Sequence, residues 1–298
     1  MSEQPRVAAI EAGGTKFIVS VGSHWDTAEK ISIPTTTPSE TLAAVVDFLQ
    51  TQFQLEAFKA IGVGSFGPLE VNKFSSKFGQ ILATPKPGWE GFSFIEALQQ
   101  FKLPVDVETD VNAAALAESL LGAGQTYDRI VYVTVGTGIG AGLVIDGKIS
   151  NGFMHPEFGH IPVPHHVNDS PDACICPFHD NCLEGLASGP SISHRWGTTL
   201  SHLSESHEAY ERETYYLAVM CANLILTLMP HRIIIGGGVA QAEGLIERVR
   251  QQTRQQLNGY LQNIDNEAAM ASIIQAPGLG NAAGIAGAYL MARNALSC

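Results

Sequence analysis

The sequence predicts an α/β protein of two lobes with a duplicated core, and three observations predict it. A strand, a glycine turn and a second strand open the chain, at Val7–Ile10, Gly13-Gly14 and Phe17–Val21. The same order returns near the midpoint, at Ile130–Val135, Gly136–Gly142 and Leu143–Ile145, and the hairpin turn Asp146-Gly147 closes it. Around both units, short apolar strands alternate with segments of helical periodicity.

The remaining elements follow in order. Leu42, Val45, Val46 and Leu49 share one helical face, which predicts a helix over 42–53. Ala60–Val63 reads as a buried strand that ends in the loop Gly64–Pro68, and 77–91, rich in Gly, Pro and Trp, reads as a structured loop. A short helix over 94–101 and a strand over 105–108 lead to an Ala-rich helix over 112–121, stopped by Gly122 and Gly124. In the second half, 155–184 shows little regular pattern. A long helix is predicted over 210–228, a buried strand at Ile233–Ile235 running into Gly236–Gly238, a polar helix over 242–258 and a small-residue helix at the end. A boundary near Leu116 divides the chain into lobes 1–115 and 116–298. The second lobe carries the irregular loop 155–184, and the terminal helix 282–298 is assigned to a core, where it completes the first lobe.

Composition narrows the function classes. The chain has 298 residues, 45% hydrophobic and 15% charged, enough for sizeable cores. A formal charge of −12 repels phosphate backbones and anionic membranes, so neither nucleic acid nor membrane is an expected partner. No apolar run has the length of a bilayer span, and the polar start Met1–Arg6 lacks a signal-peptide pattern, so the expected location is cytoplasmic. Five cysteines, three of them clustered, fit metal binding or free thiols better than a disulfide framework, with Cys221 and Cys298 apart.

The glycine turns are the first candidate binding elements. Gly136-Thr-Gly138-Ile-Gly140-Ala141 formally matches a dinucleotide fingerprint, but a strand and a hairpin turn follow it where that fingerprint needs a helix. There is no G-x-x-x-x-G-K-[ST] either. What remains is a turn without side chains, able to aim several backbone N–H groups at one phosphate. Gly13-Gly14-Thr15-Lys16 and Gly136-Thr137-Gly138 are expected to face each other across a cleft and hold a triphosphate, with the loop at Gly236–Gly238 as a third contributor.

Glu108-Thr-Asp110-Val-Asn112 stands where a strand gives way to a helix. Asp110 or Asn112 is suited to capping that helix. Asp110 is also suited to receive the proton of an attacking hydroxyl in phosphoryl transfer, because a strand end holds it rigidly. Cys176-x-x-His179-x-x-Cys182, with His160 upstream, supplies the ligand types and spacing of a closed structural Zn2+ site; Cys174 is an alternative fourth ligand.

These segments together resemble the ROK family of sugar kinases and repressors, and within it the fructokinase branch. The resemblance is carried by Ile10-Glu-Ala-Gly-Gly-Thr-Lys16, Glu108-Thr-Asp-Val-Asn-Ala113, Thr134-Val-Gly-Thr-Gly-Ile-Gly140, His155-Pro-Glu-Phe-Gly-His160, Cys176–Glu184 and Ile235-Gly-Gly-Gly-Val239, in family order. It implies an actin-like, ribonuclease-H-like fold with the substrates in an interlobe cleft, ATP with Mg2+ between its phosphates, and a homodimer. It implies that Asp110 is the general base toward the 6-hydroxyl of a hexose, most closely fructose, with glucose, mannose or an N-acetylated hexosamine as alternatives. It implies that Glu157, His160 and Glu184 line the sugar, with His160 also ligating zinc. Gly14, Thr15, Lys16, Thr137, Gly138 and Gly237 are then expected around the nucleotide. Two departures stand out: Glu11 where many members have Asp, and Pro177-Phe178-His179 in place of the usual cysteine spacing, which moves a ligand from Cys174 to His179. A non-catalytic sugar sensor is the rival class. Its repressor form needs an N-terminal helix-turn-helix, for which a first strand at Val7 leaves no room.

Overall fold

The structure, a computed structural model, describes residues 4–84 and 86–296; Cys298, read above as an isolated thiol, and the last residues of the predicted terminal helix lie outside them. The chain forms two compact units. One comprises Met1–Ala117, Ser150–His155 and Ala282–Cys298; the other comprises Glu118–Ile149 and Pro156–Asn281.

In the first unit, β1 (Val7–Ala12) and β2 (Lys16–Gly22) form the predicted hairpin, and β3 (Glu29–Pro34) extends it antiparallel. Helix α1 (Pro38–Leu55) follows, its Thr37 hydroxyl accepting from the Glu40 N–H and a proline in its first turn. β4 (Ile61–Ser65), α2 (Phe94–Leu98) and β5 (Val105–Thr109) lead to α3 (Asp110–Leu121), within which the division between units falls. The sheet order is β3-β2-β1-β4-β5, with β1, β4 and β5 parallel.

The second unit repeats this plan. β6 (Arg129–Val135), β7 (Ile139–Ile145) and β8 (Lys148–Ile149) form an antiparallel meander. After α4 (Leu183–Ala187), α5 (Gly189–Trp196) and α6 (Glu208–Leu228), the strand β9 (Arg232–Gly236) joins β6 in parallel. α7 (Leu245–Leu257), α8 (Glu267–Ile273) and the edge strand β10 (Ile274–Gln275) complete it. The order β10-β9-β6-β7-β8 is the first sheet's order element for element, which bears out the duplicated core. The chain then returns to the first unit as α9 (Ala283–Asn294).

Sequence reasoning passed over β3, β8, β10, α5 and α8. β3 is an edge strand with one buried residue, Ile33, so it carries no apolar run. β8 and β10 have two residues each, too few for any periodicity. The expected helix over 94–101 is α2 followed by a single 3-10 turn at Gln99–Phe101.

One face of the first sheet packs against α1 and an aromatic group in which Trp89 stands 5.5 Å from Phe17, 5.4 Å from Phe66 and 5.1 Å from Phe92. The loop over 77–91 is structured because Trp89 is fully buried and its indole donates to the Thr36 carbonyl at 2.9 Å. The other face packs against α9, whose small residues let backbones approach closely. A Cβ on Gly62 would lie 1.9 Å from the Ala288 carbonyl oxygen, and one on Gly287 would lie 1.8 Å from that of Ala113. Those approaches involve backbone on both sides, so nothing can swing aside. Gly287→Ala is therefore expected to cost at least ~3 kcal/mol, the range of severe core overpacking, read as a lower thermal midpoint or loss of soluble protein.

Candidate functional site

The predicted base sits at the C-terminal end of the parallel strands β1, β4 and β5. Register places Glu11 beside Gly64 and Gly64 beside Glu108, one residue before Thr109 and two before Asp110. Gly64 is needed for this convergence: its Cβ would meet that of Ala113 at 2.9 Å and the Asp110 Cα at 3.5 Å. The Thr109 hydroxyl accepts from the Asn112 N–H at 3.2 Å and so caps the first turn of α3, a role the sequence reading gave to Asp110 or Asn112. Asp110 adds an Oδ1 that accepts from the Val111 N–H at 2.8 Å. Burial pushes its carboxyl up to about 6.

Glu11 is the second carboxylate of this group. Burial, and then the charge of Asp110, push it up to about 7, against the opposing pull of Lys16 and of the Ile285 N–H at the start of α9. The charge of Asp110 opposes the ionisation of Glu11, so the two titrate as a coupled pair. Gly284 makes room for the longer acid, since a Cβ there would stand 2.6 Å from the Glu11 Cδ. The sequence reading noted Glu11 as a departure without a role; only packing brings it beside Asp110. On the β1–β2 turn, Gly14, Thr15 and Lys16 are exposed, and the Gly14 carbonyl accepts from Lys86.

In the second unit, the turns at Gly136–Gly138 and Gly236–Gly238 meet. The Gly136 carbonyl accepts from the Gly189 N–H at 2.7 Å, and the Val239 N–H donates to Val135 at 3.0 Å. Gly237 has φ +90° with the Val135 carbonyl oxygen 2.4 Å from a built Cβ, so only glycine fits. These turns and the first turns of α5 enclose a cavity of about 510 Å³, lined by Gly136, Thr137, Pro190, Ser193, Thr199 and Gly238 among others. Gly189–Ser193 and Thr199–Ser201 were missed by sequence reasoning, because Ser and Thr in a short helix and its following loop carry no spacing signal. Gly138 faces the other way, and its absent side chain admits Glu184, whose Oε2 would stand 2.7 Å from a Cβ.

His160, Cys176, His179 and Cys182 converge, each offering a ligand atom within 4.8 Å of all the others. Cys176 Sγ lies 3.4 Å from His179 Nδ1 and 4.0 Å from His160 Nδ1. Two soft thiols and two imidazoles at such separations fit a tetrahedral Zn2+ with bonds of about 2.0–2.3 Å. Cys174 stands outside the set, its thiol donating to the His179 carbonyl at 3.1 Å. Burial pushes the Cys182 thiol up to about 12, a cost a coordinated cation reverses by holding the thiolate. With Nδ1 toward the metal, His160 turns Nε2 to Glu184 Oε1 at 3.9 Å, while Glu184 Oε2 accepts from the Ile139 N–H at 2.8 Å. Glu184 thus joins the metal loop to the strand leaving the second glycine turn. Glu157 is exposed just before the 3-10 turn Phe158–His160.

Two units of one mixed-sheet plan, each with a glycine turn between its first two strands, form an α/β two-lobe architecture. The chain belongs to the ROK family, whose model matches residues 7–295. It is 41% identical to the fructokinase of Pediococcus pentosaceus over 97% of this chain and 98% of that one. It is 42% identical to the fructokinase of Zymomonas mobilis over 95% of each. The structure resembles that of the ROK hexokinase from Thermus thermophilus, with a TM-score of 0.78, 27% identity and coverage of 98% and 99%. Among the described residues no helix is long and apolar enough to cross a membrane.

Removal of zinc by a chelator is expected to lower the thermal midpoint by roughly 10 °C. That follows from ~4 kcal/mol of linkage when zinc is a thousandfold above its dissociation constant. Metal analysis is expected to return about one zinc per chain, falling to none in Cys182→Ala and remaining in Cys174→Ala.

Proposed function

We propose that the chain is an ATP-dependent fructokinase that transfers the γ-phosphoryl group to O6 of D-fructose. The observation that carries this reading is 41–42% identity over at least 95% of the chain to two fructokinases, joined to a partly buried aspartate at a strand end. In this reading the glycine turns supply backbone N–H groups to the phosphates, through Gly14, Thr15 and Lys16 in one unit and Thr137, Gly138 and Gly237 in the other. The cavity beside Thr137 and Gly238 receives the base and ribose; its apolar and hydroxyl lining suits an uncharged ring. Mg2+ held by the phosphates supplies charge neutralisation, and Glu11 and Asp110 are the oxygen donors of the first unit that suit such a hard ion.

Asp110 takes the proton of the sugar hydroxyl as that oxygen attacks. Its raised carboxyl makes it a better base than an exposed aspartate and still leaves it ionised above about pH 6. Glu157, His160 and Glu184 bind the remaining hydroxyls, and zinc fixes the loop that carries them. A homodimer is the assembly proposed.

Five outcomes are expected. In an ADP-release assay over fructose, glucose, mannose and N-acetylated hexosamines, fructose gives the highest kcat/KM; tight sugar binding with no turnover on any sugar supports the sensor instead. Asp110→Asn lowers kcat by roughly 10²–10⁴-fold. For the wild type, kcat/KM falls about tenfold per pH unit below about 6 as the base is protonated. Since the folded state holds the Asp110 proton more tightly than the unfolded chain, ionisation costs stability as pH rises from about 4 to about 6. The Asn variant is therefore expected to melt no lower than wild type at neutral pH. Gly238→Leu, whose new side chain meets no atom within 4 Å at its Cβ and projects into the cavity, is expected to raise the KM for ATP at least about tenfold while leaving zinc content unchanged.

A further inference from the structure

The short segment Ser150–His155 leaves β8 of the second unit and is part of the first. Two of its residues are hydrogen-bonded there. His155 is buried, and its Nε2 accepts from the Leu69 N–H at 3.1 Å. Asn151 enters a closed network at the turn that carries Asp110. Its Nδ2 donates to Glu108 Oε1, and its Oδ1 accepts from Asn112 Nδ2 at 3.0 Å. The same Asn112 nitrogen donates to Glu108 Oε2 at 2.7 Å, and that oxygen also accepts from the Thr109 N–H at 3.1 Å. Asn112 is fully buried and Glu108 is 7% exposed.

The chemistry of this network leaves little freedom. Both Glu108 oxygens accept here, burial pushing its carboxyl up while the Asn112, Thr109 and Asn151 donors pull it down; Asn112 gives both amide protons away, which fixes its flip; Asn151 both gives and accepts. Each member therefore has one orientation, and the three together define the backbone of Glu108–Asn112, with Thr109 and Asp110 between them. Charged, desolvated hydrogen bonds of this kind are among the stronger ones. A rigid support is what a base needs, because a misplacement near 1 Å costs about a hundredfold in rate. Five residues beyond His155 the chain reaches the zinc ligand His160, passing Glu157. The segment thus starts from amide and carboxylate partners and leads toward a candidate metal ligand.

We infer that Asn151 and Glu108 are positioning residues, which together orient the turn bearing Asp110 and anchor the start of the segment that leads to Glu157 and His160. This rests on the reading of Asp110 as the base. Neither residue touches substrate in this inference; both act through Asp110.

The network allows a swap of polarity. In Asn151→Asp the new carboxylate cannot donate to Glu108 and repels it. In Glu108→Gln the new amide meets the Asn151 amide with donor against donor. In the double variant E108Q/N151D every bond is restored: the amide introduced at position 108 donates to the carboxylate introduced at position 151, and that carboxylate accepts from Asn112 as Asn151 did. Each single variant is expected to lose roughly 10- to 100-fold in kcat, with the KM for ATP within about twofold and zinc at one per chain. The double variant is expected to regain at least about tenfold over the worse single, a coupling that independent sites do not show.

A single variant with wild-type kcat overturns the proposal. So does a double variant whose loss is the product of the two singles, or a loss of kcat accompanied by matching losses of zinc and thermal midpoint. Asp110→Asn, assayed alongside, separates the two levels. If it retains kcat, the reading of the base fails; if it is inactive while N151D is fully active, only the positioning role fails.

Discussion

Partly desolvated carboxylates that accept backbone N–H groups organise this protein. Glu118, fully buried, accepts from Ala123 at 2.8 Å, from Gly278 at 3.0 Å and from Leu279 at 2.8 Å, and so ties the end of α3 to the loop before α9. Glu108 does the same for the start of α3, Glu184 for the strand after the second glycine turn, and Glu11 for the start of α9. Each charge would be costly to bury alone; each is made tolerable by donors that a loop or helix end would otherwise leave unsatisfied. Hydrogen bonds to a charged group contribute about 1.5–3 kcal/mol each. One type of interaction therefore closes the loops and places the acids.

Asp110 departs from this pattern in a way that suits the role proposed for it. It accepts only from its own helix start, and burial acts on it without a cation beside it in the protein. A base fully neutralised by a lysine or arginine would be too weak to take a proton near neutral pH. The other acids are taken up by backbone and amide donors, which leaves Asp110 the basicity that the proposed role needs. Glu11, next to it, is pushed up by burial and by the charge of Asp110, so the two acids titrate as a coupled pair.

The zinc group solves a different problem. From Pro156 to Cys182 the chain has almost no regular hydrogen bonding, one 3-10 turn apart. A segment of that length held by turns alone would sample many conformers. The convergence of His160, Cys176, His179 and Cys182 on one candidate metal position, together with the ion pair of Asp169 with Arg195 at 2.7 Å and the Tyr216 hydroxyl on the same carboxylate oxygen at 2.7 Å, reduces that freedom. A metal held there would orient His160, and through its second nitrogen the neighbouring Glu184.

The duplicated strand–turn–strand plan, the four metal ligands and the aspartate at a strand end were legible in the sequence because each is a local pattern. Alternation, glycine placement and ligand spacing are set within a few residues, where covalent geometry limits the options. Partnerships over long separations were not legible. Glu11 beside Asp110, Asn151 on Glu108, Gly138 yielding to Glu184, and the cavity wall from Gly189 to Ser201 join residues whose types are common and whose spacing carries no period. Edge strands such as β3 were invisible for a related reason: with one buried side chain they leave no apolar signature. Sequence alone determined the elements and the chemical groups available; close packing of backbones at glycine and alanine, which brings distant groups within hydrogen-bond reach, was decided only by the tertiary structure.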